Sequence, residues 1–500
     1  MLEACYTCRR RHIQCDRSQQ PCLKCQKAGL KCLDKRPVRW VQGIAIRGAM
    51  RGRTHQDDLV CANPVGEIDT RASTPVELNR RPGLVPPSDT MSTDMRLAIV
   101  PSTLQDPMIS GLDATSKYYL HYYNDRICDL FIVYDSQNNP FRSLISLALG
   151  DTVLLDAVLA LAARHRANFK RPFSTHATEF FPTPNDTEKD ALRFKYHAIQ
   201  GLSRSVNGQR GYQDATVASV LLLVFLDLLE SGCDRWNYHL EGAKGLLATL
   251  PTNNPGRTLQ RLRQFIIKQI HLIESLGATF VRPELLSKSP SIDESANLLQ
   301  DVVEESFLGC PEYILTALQF FSLQRDIMLC GDLSEQAPTE SIISIFNGVK
   351  EFDCYAWALS LPQESVTRDI NDLCRLARTY QLGAILYGQR VLDAFHVEGP
   401  SQANALFDLI GIIDSLRHGS NLLKCILWPI TIAGLECRLP SQRHTLMLAL
   451  EQFWLDTRCL NVMNAGKILQ TYWKNIDENK AAAKDWIFDI GRLSHDWLLI

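Results

Sequence analysis

From residue 117 onward, apolar side chains return every third or fourth position in long runs broken by short polar stretches, which is the spacing of amphipathic helices. The clearest run follows Asp151, a good helix-capping residue, and places Val153, Leu154, Leu155, Val158, Leu159, Leu161 and Ala162 on one face. The same period predicts helices over about Ala191 to Ser205, Asp214 to Glu230, Arg235 to Leu250, Thr258 to Leu276 and Glu312 to Leu329. It continues over Ile370 to Phe395, Gln402 to Leu416, Leu422 to Cys437, His444 to Asp456 and Ala465 to Tyr472. Alternating strands are missing, so residues 117–500 read as one large all-α domain. Two lobes are expected to meet near Leu285 to Glu305, where Pro and Ser cluster. No helical repeat of roughly 34–47 residues recurs with a shared signature, so a regular solenoid is not supported.

Upstream the period disappears. Thr54 to Ser116 holds Pro64, Pro75, Pro82, Pro86, Pro87, Pro101 and Pro107 among many Ser, Thr, Asp and Arg, the composition of a disordered linker. Residues 33–53 contain Pro37, Gly43, Gly48 and Gly52 and cannot sustain a heptad seam, so a coiled-coil dimer beside the N-terminal segment is not expected. The expected organisation is a small module at 1–35, a basic and then flexible linker at 36–116, and the helical domain at 117–500.

Charge sharpens that division. The whole chain has a formal net charge of −2, yet residues 1–53 hold thirteen Lys and Arg against Glu3, Asp16 and Asp34, a net of +10, which leaves −12 for the rest. A basic module on an acidic body is the footprint of a surface made for phosphates. The strongest apolar run, Val217 to Leu226, is about half the length of a bilayer-spanning helix, and the N-terminus lacks the apolar middle of a signal peptide. No membrane partner is expected, and the protein is expected to stay inside the cell, where thiols are kept reduced.

Six of the sixteen cysteines fall within the first 32 positions; the other ten scatter from Cys61 to Cys459 without close pairing and read as buried apolar residues. Cys5, Cys8, Cys15, Cys22, Cys25 and Cys32 are spaced C-x2-C-x6-C-x6-C-x2-C-x6-C, so one interval pattern occurs twice. A C-x2-C pair puts two thiolates on one tetrahedral metal. Three thiolates per half leave each zinc one ligand short, and the shortfall vanishes if one cysteine of each half bridges both ions. Two zinc ions on six cysteines is the natural reading. A cross-braced ubiquitin-ligase domain would need eight ligands, and a thioredoxin-type centre would need a strand before its C-x2-C; neither context is present.

Between two of these cysteines, Arg9, Arg10, Arg11, His12, Ile13 and Gln14 are expected to form a short helix whose far end enters a major groove. An arginine paired bidentately with guanine is worth about 1–3 kcal/mol of discrimination there. Lys24, Lys27 and Lys31 in the second half fit phosphate contacts, with a plain solvated face as the alternative. Lys35, Arg36, Arg39, Arg47, Arg51 and Arg53 extend the basic run and also fit a nuclear import signal.

ACYTCRRRHIQCDRSQQPCLKCQKAGLKC resembles the fungal binuclear zinc cluster family of transcription regulators. The resemblance implies that Cys5 and Cys22 bridge, with Cys8 and Cys15 completing one zinc and Cys25 and Cys32 the other. It also implies base contacts from Arg11 and His12 and a CGG target. Lysine is usual at the second place, so His12 departs from the pattern and could instead cover the cluster. DLFIVYDSQNNPFRSLISLALGDTVLLDAVLALAARH, HLEGAKGLL and LWPITIAGLECRLPSQRH resemble the fungal-specific transcription factor domain of the second type, which implies regulation, self-association and contact with transcription machinery. The string DKRPVRWVQGIAIRG resembles regulators of the acriflavine sensitivity control kind.

The helical body carries no G-x-S-x-G, phosphate loop, H-E-x-x-H or dinucleotide fingerprint, and His165, His239 and His444 read as surface or satisfied core residues, so no enzyme is expected. The expected function is a nuclear regulator of RNA polymerase II genes that binds double-stranded DNA, activating a metabolic or secondary-metabolite gene cluster. A drug-resistance regulator of the same family and a zinc-cluster interaction protein without DNA readout stand as the alternatives.

Overall fold

The computed structural model describes residues 4–5, 7–8, 11, 13–16, 21–29 and 32 of the N-terminal segment. Further along it describes 107–136, 138–173, 186–207, 213–250, 256–282, 285–286, 306–330, 337–361, 369–395, 402–478, 486–489 and 495–500. Of the expected linker at 36–116, residues 36–106 therefore lie outside the described residues, whereas Pro107–Ser110 is a short helix and residues 114–116 already belong to the first helix of the body. In the N-terminal segment the one longer element is α1 (Leu23–Lys27).

The body is built from α2 (Ala114–Tyr122), α3 (Pro140–Ala148), α4 (Thr152–Asn168), α5 (Asp186–Asn207), α6 (Asp214–Glu230), α7 (Trp236–Thr249) and α8 (Arg257–Gly277). It continues with α9 (Glu312–Cys330), α10 (Thr339–Glu351), α11 (Cys354–Ser360), α12 (Ile370–Ala394), α13 (Ala403–Arg417), α14 (Leu427–Glu436), α15 (Pro440–Thr457) and α16 (Leu460–Asp477). Among the described residues there is no β-strand, only an isolated antiparallel bridge between Cys233 and Trp497. No described helix is long and apolar enough to cross a membrane.

Two helices sit at the centre because they are apolar on every side, which a helix tolerates only when neighbours cover it all round. Every residue of α6 from Ala215 to Leu229 is buried, and so is every residue of α14. Helices α4, α7, α8 and α16 pack on α6, while α12, α13, α15 and α16 pack on α14. Since α16 touches both, and α8 also packs on α9, one apolar cluster runs continuously from Tyr119 to Ile500. The two lobes expected around residues 285–305 thus share a single core, and residues 287–305 lie outside the described residues.

Local signals account for several starts. Asp151 accepts hydrogen bonds from the Val153 and Leu154 amides, both at 2.9 Å, and so opens α4 as its sequence predicts. Asp353 and Asp369 do the same for α11 and α12. The first body helix, α2, starts at Ala114 behind an Asp113 cap, just upstream of residue 117.

The helix expected over Leu422 to Cys437 is divided into a 3-10 turn, Asn421–Cys425, and α14. Pro429 is the cause: it has no N–H to give to the Cys425 carbonyl, so a continuous helix would leave that carbonyl orphaned. The Tyr380 hydroxyl donates to it instead, at 2.6 Å.

Similar capture recurs at several described helix ends inside the core. Arg325 is fully buried, and its guanidinium donates to the carbonyls of Thr279 (2.6 Å), Ala278 (2.9 Å) and Val281 (3.3 Å) just past the end of α8, while Asp326 balances its charge. Gln381 gives its amide to the carbonyls of Val349 and Phe352 at the end of α10. Asn168 bonds the carbonyls of Leu229 and Arg458, and Trp473 bonds that of Gly434.

His165 belongs to the same set. Its Nε2 lies 3.1 Å from the Thr457 carbonyl, which can only accept, so Nε2 carries the proton and Nδ1 accepts from the Tyr122 hydroxyl at 2.9 Å. Burial pushes its pKa down to about 3. His239 pairs with Asp227 at 2.8 Å, and His444 is exposed on α15.

No disulfide joins any described cysteine. Burial pushes the thiols of Cys354, Cys425 and Cys459 up to about 12, as expected of cysteines that serve as apolar core residues.

A neutral buried histidine must gain a proton on unfolding once the pH is below about 6.5, its unfolded value. The stabilisation is complete above that pH and is lost as the pH falls toward 3. Urea unfolding measured from pH 7.5 to 5 is expected to show a slope approaching about 1.4 kcal/mol per pH unit from this group. In His165→Gln, which keeps a donor for Thr457, that share of the slope disappears; equal slopes in the two proteins contradict the assignment.

Candidate metal centre and nucleic-acid interface

Among the described residues of the N-terminal segment, the apolar side chains of Ile13 and Leu23 are exposed. Its buried set consists of Cys5, Cys8, Cys22 and Cys25, with Cys15 and Cys32 half-buried against them. Each C-x2-C knuckle closes in the same way: the Cys8 amide donates to Cys5 Sγ and the Cys25 amide to Cys22 Sγ, both at 3.4 Å. The sequence repeat is therefore also a repeat of backbone geometry.

The two halves then diverge in their helical turns. In the first, Thr7 and Cys8 are helical and the Arg11 amide bonds the carbonyls of Thr7 (3.3 Å) and Cys8 (3.1 Å). Ile13 to Cys15 are already irregular, so the helical turn sits nearer the first knuckle than the expected 9–14. The reason is the ligand spacing: the chain must leave the helix early for Cys15 to return to the cluster.

In the second half, Cys22 caps α1, and Gly29, at φ +61°, ends the turn in the left-handed region that glycine enters without steric cost. Asp16 accepts the Leu23 amide at 3.0 Å and so ties the end of the first half to the start of α1. From the sequence Asp16 reads only as a charge, because the amide it accepts lies seven positions further on.

The four buried sulfurs lie within 4.8 Å of one another. Cys5 to Cys22 is 3.8 Å, Cys5 to Cys25 3.8 Å, Cys8 to Cys22 3.7 Å and Cys8 to Cys25 3.9 Å. Zinc–sulfur bonds of about 2.3 Å at tetrahedral angles put sulfurs about 3.8 Å apart, so the donor set fits zinc. Cys15 and Cys22 come within the same 4.8 Å.

The thiols are not equivalent. Burial pushes Cys5 up, but the Cys8 amide and the neighbouring thiols outweigh it and hold Cys5 below the ordinary thiol range. At Cys22 the Cys25 amide is the leading cause of the same lowering. Burial raises Cys8 strongly and Cys25 to about 12.

Of the basic residues singled out from the sequence, Arg11, Lys24 and Lys27 are exposed. Lys24 and Lys27 stand one turn apart on α1, on the side away from Cys25. Arg9, Arg10, His12 and Lys31 lie outside the described residues.

A cluster of thiols that fits zinc, with exposed cations around it, defines a zinc-binding module with a basic surface. Residues 3–40 match the fungal Zn(2)-Cys(6) binuclear cluster domain. Residues 118–500 match the fungal specific transcription factor domain, and the chain belongs to that family of transcription factors, which is not a family of enzymes. The six N-terminal cysteines accordingly hold two zinc ions, and the cluster domain binds DNA.

The chain is similar to the acriflavine sensitivity control protein acr-2 of Neurospora crassa, 22% identical over 98% of this chain and 95% of that protein. It is also similar to the pestheic acid cluster transcriptional regulator 3 of Pestalotiopsis fici, 22% identical over 62% of this chain and 64% of that protein. No solved structure matches it.

Because cysteines are the buried side chains among the described residues of the N-terminal module, its folding free energy is largely its metal-binding free energy. A strong chelator is expected to remove both zincs and unfold residues 4–32 while the helical circular dichroism of the body stays within a few per cent of its starting value. Loss of the body's helical signal along with the zinc contradicts that independence.

Proposed function

We propose that the protein is a sequence-specific regulator of RNA polymerase II genes, acting in the nucleus on double-stranded DNA through the zinc cluster. The observation that carries this reading is the turn of Arg11: the cluster fixes its backbone one helical turn beyond Cys8 and leaves its side chain in solvent. Arg11 reads guanine in a CGG-like half-site with His12 beside it. Lys24, Lys27 and Lys31 hold phosphates, and Arg9 and Arg10 add to the same positive surface.

Within the cluster, Cys5 and Cys22 bridge the two zincs, Cys8 and Cys15 complete the first, and Cys25 and Cys32 the second. Support comes from the amide each bridging sulfur receives, which favours the thiolate form in those two positions ahead of Cys8 and Cys25.

The genes it controls form a restricted metabolic or secondary-metabolite set, which the chain activates. The relative named for a pestheic acid cluster supports this reading. The full-length relative named for acriflavine sensitivity supports a second one, control of drug response.

Self-association through the body belongs to the same proposal. On α5, Leu192, Tyr196, Ile199 and Val206 are each between 41% and 57% exposed. Their spacing keeps them on one seam of the helix, the pattern into which a second copy's helix packs. Contact with transcription machinery completes the set of partners that the family implies.

Selection of random duplexes by the full chain, with and without chelator, tests the DNA reading. A CGG-like motif that is lost on chelation is expected; Arg11→Ala relaxes base preference by about 1–3 kcal/mol. Lys27→Ala weakens all sequences alike and lowers the salt slope by about one unit. A zinc-loaded chain that enriches no motif leaves the cluster as an interaction module. Mapping the motif on the genome separates one contiguous gene cluster from dispersed drug-response promoters.

Sedimentation of the full chain tests self-association: Ile199→Glu is expected to turn a dimer into a monomer with unchanged helicity. A variant that still sediments as the dimer, or a wild type that is already monomeric, rules out α5 as the contact.

A further inference from the structure

Past the end of α6 the chain makes a tight turn in which the Ser231 and Gly232 amides both bond the Asp227 carbonyl, at 2.8 and 2.7 Å. Gly232 has φ +66°, and a Cβ there would stand 2.6 Å from Asn461 Cβ and 2.9 Å from the Leu498 carbonyl oxygen. Asp234 follows at φ 59°, one of two described non-glycine residues with positive φ. Such a backbone persists when the surroundings hold it in place.

What holds it is a strap formed by residues 495–500. The Asp234 amide donates to the Asp496 carbonyl at 2.9 Å and the Leu498 amide to the Gly232 carbonyl at 2.7 Å. Leu498, Leu499 and Ile500 are buried beneath.

This pairing brings three different ligand types together. A Cys233 sulfur, an Asp234 carboxylate oxygen and a His495 ring nitrogen all lie within 4.8 Å of one another. The Asp234 and His495 side chains are 45% and 48% exposed, so solvent and ions reach them, while Cys233 is half-buried beside them.

The carboxylate is already oriented: Asp234 Oδ1 accepts the Asp496 amide at 2.9 Å, and Oδ2 faces His495 Nδ1 at 2.6 Å. A backbone amide that orients one oxygen while the other faces the site is a recurrent outer-shell arrangement around metals. Asp496, next to His495 on the strap, is engaged by Arg282 at 2.7 and 3.1 Å.

One sulfur, one oxygen and one nitrogen donor suit a borderline-soft ion and exclude magnesium and calcium, which take oxygen ligands. Three protein ligands plus water complete a tetrahedral zinc. Ligand bonds of roughly 2.0–2.1 Å set a nitrogen–oxygen edge of about 3.3 Å, so the His495–Asp234 contact opens by less than 1 Å to admit the ion.

We propose that Cys233, Asp234 and His495 form a third zinc site, separate from the six-cysteine cluster, that fastens the strap at residues 495–500 to the turn after α6. The thiol proton leaves to solvent as zinc binds, and the −2 of thiolate and carboxylate balances the ion. With an open position and mixed donors, this site gives up its zinc to a mild chelator before the cluster does.

The test is the zinc content of the full chain, measured by elemental analysis after equilibration with free zinc. Three zincs per chain are expected in the wild type, and two in Cys233→Ser and in His495→Gln. Cys233→Ser exchanges a single atom within the same turn, and His495→Gln reports from the strap side, so the two together guard against a folding artefact in either. Zinc is also expected to raise the melting temperature of the body in the wild type and in neither variant. Two zincs in the wild type, or three in both variants, overturns the site.

Discussion

Helices that end inside a dry core leave their last carbonyls with no water to receive them, and the body of this protein is arranged around meeting that demand. A continuous core makes it acute at the ends that are buried, such as those of α8 and α14, while others, such as Thr249, Cys330 and Asp477, are exposed. Arg325, Gln381, Asn168, Trp473, His165 and Tyr380 each sit on one helix and take carbonyls from another segment. These contacts are directional where apolar packing is not. A slipped register that kept the same apolar area buried would strand a guanidinium or several carbonyls, so the hydrogen bonds select one packing from many that hydrophobicity alone permits.

The N-terminal module answers the same demand with opposite means. Among its described residues the buried side chains are cysteines, whose sulfurs repel one another when ionised. Only cations between them make the arrangement stable, and the fold is thereby conditional on zinc. The division of charge follows that of architecture: +10 over residues 1–53 and −12 over the remainder. Attraction to a polyanion is concentrated in the module, while the acidic body gains nothing from the backbone of DNA and is kept for other contacts.

Legibility in the sequence followed the range of the interactions involved. The cysteine repeat is local, so its spacing exposed the cluster, and the apolar run of α6 exposed a helix there but not its place at the centre. Asp151 showed as a cap because the amides it binds are two and three residues away. The break at Pro429 was harder to place, since it becomes certain only when Tyr380 is seen to occupy the Cys425 carbonyl from 45 positions away. Helix α11 is short and its apolar positions are interrupted by exposed Tyr355 and Leu359, so periodicity alone did not lift it from the background, whereas α10 carries a readable period in Ile342, Phe346 and Val349. Arg325 reads in sequence as an ordinary surface cation, and nothing near it in the chain foretells that it ends buried against Thr279. The pairing of the 231–234 turn with residues 495–500 is entirely non-local and left no trace in the pattern.

That last pairing also has a kinetic meaning. Asp234 and Asp496 are 262 positions apart, whereas the Asn168–Leu229 contact closes only 61, so joining the strap to its turn costs about 1 kcal/mol more in loop-closure entropy. Contacts of such range form late and slow the approach to the native state. Until they form, Trp236 lacks the Asp496 carbonyl for its indole N–H, and Asn461 lacks the Leu498 and Ile500 carbonyls that its side-chain amide takes in the finished fold. Residues 495–500 therefore bring Trp236 and Asn461 hydrogen-bond acceptors that only a long-range closure can deliver.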